Sequence, residues 1–389
     1  MATIVSNRTS KKSKPSATAA LKPSAPVIPT AVDDSPIDSP AELLRALHWT
    51  RLDGSACFST DDTATMKAAW KQLHAAVKEF GDAEMRSVAK RAERRDAKPA
   101  AAGKKPAKPA PSYHSEELRT TVLRTDWSSS ATQVAIDWSQ PSLRCEVICG
   151  ADVIVSGVVA PQVTIDGRRL TPVGSWEEVC WDFDGEADYL ELEISLGGGF
   201  RLQRQFLLAR TDGLLYIADA VLCESRNNIE CELALPLTED VKFAAAGETR
   251  EGVLTTGRKA RMVIPAALPE WRSDRRHGEL TESADGLTLR QSASKAIALY
   301  VPLCLVIDAK RSTRDVTWRQ LTIGENLQIQ PAERAVGYRL QVGREQWLIY
   351  RSLTARANRT LLGVNLQTDF LVARIKSDGT TDNLMEIEE

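Results

Sequence analysis

Asp-Gly occurs five times after residue 118, at 166–167, 184–185, 212–213, 285–286 and 378–379, each close to a run of β-branched or aromatic residues. Between such runs Asp-Gly favours the tight turn that joins two adjacent antiparallel strands, because that turn needs positive φ at its centre. This recurrence commits most of the chain to hairpins. Alternation agrees with it. In Tyr189–Ile194, Leu190, Leu192 and Ile194 share one face and Glu191 and Glu193 the other; in Tyr338–Val342, Tyr338, Leu340 and Val342 oppose Arg339 and Gln341. Such strands are expected to be wet on one side. The runs Leu214–Leu222 and Ile297–Ile307 are apolar nearly throughout, as central strands covered on both faces would be.

The expected fold is mostly β: a large, supersandwich-like antiparallel β-sandwich of two packed sheets over 114–389, preceded by a disordered and partly helical N-terminal region. Charge divides at the same place. Residues 1–115 carry a balance of +7 and residues 116–389 one of −9, which together give the net −2 of the 389-residue chain. Residues 1–38 have no aromatic side chain and are read as disordered. Residues 39–95 read as a helical segment. It starts with Ser39 as N-cap ahead of Pro40 and Glu42, and its second helix carries a stripe of Met66, Trp70, Leu73, Val77 and Phe80 that must pack against something, with docking on the first helix or on the sandwich favoured over self-association. Residues 96–113 read as a basic Pro/Ala/Lys linker. The sandwich is expected to fold without this N-terminal third.

The seven cysteines contain no CxxC pair, so neither a zinc site nor a disulfide framework is expected. Cys223 and Cys231 lie symmetrically about Asn227-Asn228, and a hairpin there would set them opposite one another. The chain has no apolar stretch long enough to span a bilayer and no signal peptide, so a cytoplasmic, non-membrane protein is expected.

Catalytic signatures are absent. There is no P-loop, no H-E-x-x-H and no G-x-S-x-G, and Gly197-Gly198-Gly199 reads as a hairpin turn. His48, His74 and His114 are placed outside the sandwich, and His277 in an Arg-rich loop reads as a solvated residue. The segment Trp181-Asp182-Phe183-Asp184 with Glu177-Glu178 is acidic and aromatic. Paired acids of this kind can run glycoside hydrolysis or hold calcium, and equally form the wet face of a strand. Tryptophan outnumbers Phe and Tyr. Indole faces suit sugar rings and arginine forks suit carboxylates, so Trp318, Arg339 and Arg351 are the candidate ligand-binding residues, with Arg339 placed on an open face by alternation. No catalytic residue, metal or cofactor is expected. The stretch Arg86–Lys108 holds nine Lys/Arg against Glu93 and Asp96 without interleaved aromatics, so any nucleic-acid contact there should be weak and salt-sensitive.

The run from Phe200-Arg201-Leu202-Gln203-Arg204-Gln205-Phe206 through Thr211-Asp212-Gly213 to Tyr216-Ile217-Ala218-Asp219-Ala220-Val221 resembles the heparinase II/III-like family. There an arginine-led strand, a turn and an apolar strand ending in Asp-x-Val belong to the β-sandwich that follows a catalytic helical toroid. The resemblance implies a polysaccharide-lyase-type sandwich without the toroid, and it carries over no catalytic residue. The expected function is a non-catalytic sandwich that binds a carbohydrate or a protein partner. The alternatives are a polysaccharide lyase or hydrolase acting on an acidic polysaccharide, and a nucleic-acid-associated protein acting through residues 86–108.

Overall fold

The computed structural model describes residues 39–51, 55–58, 63–86, 89, 109–274, 278–284 and 286–388, with 63–70 as backbone only. Two helices come first, α1 (Pro40–His48) and α2 (Thr63–Glu79). Ser39 caps α1 as its sequence demands, its hydroxyl accepting from Glu42 N at 3.3 Å. Leu43 and Leu47 of α1 bury against Leu73 and Val77 of α2, so the stripe docks on the first helix.

From Tyr113 on the described strands all pair antiparallel, with one short 3-10 turn at Arg311–Thr313. Strands β1 (Tyr113–Ser115), β2 (Thr120–Arg124), β3 (Thr132–Asp137), β4 (Arg144–Cys149) and β5 (Asp152–Val158) form a five-stranded meander. An eleven-stranded central sheet follows: β6 (Gln162–Ile165), β7 (Arg168–Arg169), β8 (Val173–Phe183), β9 (Ala187–Gly197), β10 (Phe200–Ala209), β11 (Leu214–Leu235), β12 (Lys242–Ala245), β13 (Gly252–Thr256), β14 (Lys259–Pro265), β15 (Gly278–Ser283) and β16 (Gly286–Val306). The last strands are β17 (Val316–Gln320), β18 (Gly324–Glu325), β19 (Gln328–Ile329), β20 (Ala335–Val342), β21 (Glu345–Ser352), β22 (Arg359–Leu361), β23 (Val364–Leu366), β24 (Phe370–Ile375) and β25 (Thr381–Ile387). Of these, β17-β20-β21-β24-β25 make a third sheet and β19-β18-β22-β23 a fourth.

The expected two sheets are therefore four, stacked in layers. Val134, Ile136 and Val147 of the first sheet bury against Leu190, Phe206, Ile217 and Leu303 of the central one. On the opposite face Tyr189, Leu207, Tyr216 and Cys304 meet Leu340, Ile349 and Val372 of the third sheet. Leu348, Tyr350 and Leu371 then point outward under Leu361 and Leu366 of the fourth. Double coverage explains why Leu214–Leu222 and Ile297–Ile307 are apolar: they lie in the 22-residue β11 and the 21-residue β16, which pair along almost their full length.

The Asp-Gly turns at 166–167, 184–185, 212–213 and 378–379 each join two consecutive strands, and Gly286 opens β16. Gly197, Gly198 and Gly199, all at positive φ, make the β9–β10 turn. Two expectations are corrected. Residues 223–231 form no hairpin, since β11 runs through them, and Cys223 and Cys231 sit on one strand about 26 Å apart at ordinary strand rise. All seven cysteines are free. Glu191 is not on a wet face, because the third sheet covers it completely.

The folded unit also reaches back before residue 114. Trp49 and Cys57 cover Val122, Ala135 and Ile148 on the outer face of the first sheet. Arg51 Nε lies 2.9 Å from the buried Glu146 carboxylate, and Arg124 and Gln133 donate to the carbonyl of His48. Residues 1–38 and most of the basic stretch 86–108 lie outside the described residues, as does His277. Among the described residues no helix is long and apolar enough to cross a membrane.

Candidate functional site

The three residues chosen from sequence do not converge. Trp318 is buried in the core between the central and third sheets, its indole N–H donating to the carbonyl of Leu268 at 2.7 Å. Arg351 faces the same interface. Its guanidinium takes both oxygens of Glu191 and the side-chain oxygen of Gln203 (2.7 Å), inside a network that continues through Tyr189, Gln205, Tyr300 and Tyr216. Burial alone would pull the arginine pKa down, but Glu191 outweighs it and holds the guanidinium above its usual range. Arg339 points the other way, onto the outer face of the third sheet, opposite to the buried Tyr338 and Leu340.

A different set of functional groups gathers along β8, the edge strand of the central sheet. β8 carries register shifts between Val173 and Glu177 and between Glu178 and Cys180. The second shift matters. Glu178 pairs with Leu192 and Trp181 with Leu190, and both leucines face the first sheet, so two residues three apart in sequence share a face. His114, on the neighbouring edge of the first sheet, meets both. Its ring stacks on Trp181 with centroids 4.7 Å apart and planes 14° from parallel, and its Nε2 lies 2.8 Å from Glu178 Oε2. Nδ1 hydrogen-bonds with Thr121 Oγ1 at 2.9 Å, whereas the approach at Nε2 is close without hydrogen-bond geometry and leaves Glu178 Oε2 buried without a donor. His114 belongs to β1, which corrects its expected place outside the sandwich.

Trp181 in turn stacks on Phe183, two residues along the same face, at 5.7 Å. Phe183 is 53% exposed, so a ribbon of three rings runs outward along the edge. Burial moves both members of the imidazole–carboxylate pair toward neutrality: it pushes the His114 pKa down, against the pull of Glu116, and the Glu178 pKa up, with Glu116 adding to it.

On the other side of β8 a shallow cleft of about 480 Å³ opens between this strand and β25, the edge strand of the third sheet. Cys180, Trp181, Asp182, Glu386, Ile387 and Glu388 line it. Strand alternation sends Asp182 toward the third sheet while Trp181 and Phe183 face the first. The edge thus offers ring surfaces on one flank and carboxylate acceptors on the other. Sequence reasoning noticed Glu177–Asp184 but not His114, which a β-bulge and a contact between two sheets bring to it. No residue cluster suited to a metal ion occurs among the described residues.

Comparison with solved structures agrees with the architecture. The chain is similar to the heparan sulfate lyase HepC from Pedobacter heparinus, with TM-score 0.55 and 13% identity over 81% of this chain and 52% of that one. It is also similar to a heparinase III crystal structure, with TM-score 0.54 and 10% identity over 81% of this chain and 54% of the other. The chain spans about half the length of these enzymes, and the shared part contains the β-sandwich, as the sequence resemblance implies. No family model and no curated protein matches the sequence.

Proposed function

We propose that the protein is a non-catalytic β-sandwich that binds a polysaccharide across the β8 edge. One observation carries this reading: Trp181 stacks with His114 and with the exposed Phe183 beside a cleft lined by Asp182, Glu386 and Glu388. Aromatic rings present apolar surface to the C–H faces of a sugar. Carboxylates accept hydrogen bonds from its hydroxyls. The similar structures are named as lyases of heparan sulfate or as heparinases, which favours a glycan over other ligands. The carboxylate lining disfavours sulfated or uronate chains at this edge by like-charge repulsion, so the ligand here is a neutral, hydroxyl-rich chain.

The test is titration of the full chain with neutral cello- and xylo-oligosaccharides, followed by tryptophan fluorescence and calorimetry, alongside product analysis. Binding that is lost in Trp181→Ala and Phe183→Ala, with unchanged melting and no new reducing ends, supports the proposal. New reducing ends would make the protein an enzyme and direct attention to His114 and Glu178. If millimolar oligosaccharide leaves fluorescence and heat unchanged, the glycan reading fails and a protein partner replaces it.

A further inference from the structure

On the outer face of the third sheet two arginines stand directly opposite one another. Arg319 of β17 is the register partner of Arg339 of β20. Both point away from the core that holds Trp318 and Leu340, Arg319 exposed and Arg339 half-buried. Like charges in this position repel, since facing side chains leave the sheet only about 5 Å apart at Cβ. Several other sheet arginines are compensated: Arg204, Arg351, Arg359 and Arg374 each meet a carboxylate. Here no carboxylate of a described residue lies within ion-pair distance of either guanidinium.

The surroundings supply acceptors to one arginine alone. Gln346 accepts from Arg339 Nε at 2.9 Å and Gln341 from Nη2 at 3.1 Å, which orients the fork and leaves Nη1 turned to neither. Glu270, which also approaches β17, accepts at Oε2 from the hydroxyl of Thr317 and the backbone N–H of Trp318 and makes no ion pair with either arginine. One guanidinium is therefore pre-oriented and its opposite number is free in solvent, with an uncompensated charge of two between them.

We propose that Arg319 and Arg339 form an oxyanion-binding site, taking a sulfate, phosphate or carboxylate group between the two forks. Two guanidinia suit such a group because each can donate in parallel to two of its oxygens. Orientation of Arg339 by the glutamines lowers the ordering cost on binding. The site lies on a different sheet from the β8 edge and does not depend on the polysaccharide reading.

The experiment uses the full chain with inorganic sulfate and phosphate, an oligogalacturonate and a heparin oligosaccharide as probes, by calorimetry and thermal shift. Sulfate stabilises proteins generally by exclusion from their surfaces, so the readout is the difference between wild type and variant at equal ionic strength. Tighter binding of the polymeric probes than of the free ions identifies the oxyanion as glycan-borne, and equal binding identifies a free ion. Arg319→Gln and Arg339→Gln are each expected to weaken binding at least tenfold. Arg319→Gln, on an exposed side chain, is expected to leave the ligand-free melting temperature unchanged or slightly raised, because it removes repulsion. Trp181→Ala should have no effect on these probes. The proposal is overturned if no probe binds wild type, if both arginine variants bind as wild type does, or if binding is instead lost on Lys104→Gln with Lys105→Gln in the basic N-terminal stretch.

Discussion

Arg204 of β10 and Asp219 of β11 are register partners in the central sheet and form a two-point ion pair, 2.7 Å at Nε and 2.7 Å at Nη2, with both side chains fully buried beneath the first sheet. The third guanidinium nitrogen donates to the carbonyl of Val159, and the guanidinium lies over the Trp176 ring. Every charge in the pair is compensated, so the arrangement is tolerated in an otherwise apolar core. Neither residue alone would be.

Removal of one partner should therefore cost far more than removal of both. Asp219→Ala is expected to destabilise by about 3–5 kcal/mol, and Arg204→Met with Asp219→Leu to recover most of that loss. Urea unfolding of the three proteins decides it. A single substitution costing under about 1 kcal/mol, as exposed pairs do, would refute the burial argument.

The second prediction concerns the N-terminal segment. Arg51→Ala leaves the buried Glu146 with hydrogen-bond donors from Phe58 and Ser156 but without its counter-charge, and a chain beginning at residue 114 also uncovers the apolar outer face of the first sheet. Both should melt well below the full chain, with Arg51→Ala costing about 3 kcal/mol. Equal melting of the full and shortened chains would show that residues 39–58 contribute nothing to stability.

The third follows from His48. It is buried between Tyr113 and Trp127, and its pKa is lowered from 6.5 to about 3, by burial first and then by the nearby Arg124. The unfolded chain takes up this proton at higher pH than the folded one, so stability is undiminished above about pH 6.5 and falls as the pH drops toward 3, at up to about 1.4 kcal/mol per pH unit. Denaturant melts of wild type and His48→Gln between pH 7 and 4 should diverge in slope by one proton. Parallel curves would place His48 in contact with water.

The fourth is a thiol count. Burial pushes Cys223 up to about 11 and Cys145 up to about 12, and raises Cys57, Cys149, Cys231 and Cys304 as well. Thiolate is the reactive form. The native protein should react slowly with an aromatic disulfide reagent at pH 8, the half-buried Cys223 and Cys180 first, and release seven thiols on denaturation. Five would mean a disulfide that the strand geometry forbids for Cys223 and Cys231.

Local chemistry made much of this fold legible in the chain. Ser39-Pro40 started a helix, Asp-Gly and the glycine triplet placed turns, and continuous apolar runs marked the two long central strands, because turns, caps and strand burial each depend on residues that are close in sequence. Alternation also put Arg339 on an outer face, yet that it stands opposite Arg319 depends on a pairing register that neither strand encodes alone. Layering was not legible at all. Whether Glu191 is wet or buried depends on Arg351, 160 residues away, arriving on a third sheet with a compensating charge. Likewise His114, Glu178 and Trp181 met only because a bulge in β8 broke the period of two and the first sheet brought its edge alongside. Strands and turns follow from contacts between near neighbours in the chain. Which polar residues become partners follows from the stacking of the sheets, because desolvation and Coulomb attraction act between groups that only this stacking brings within reach.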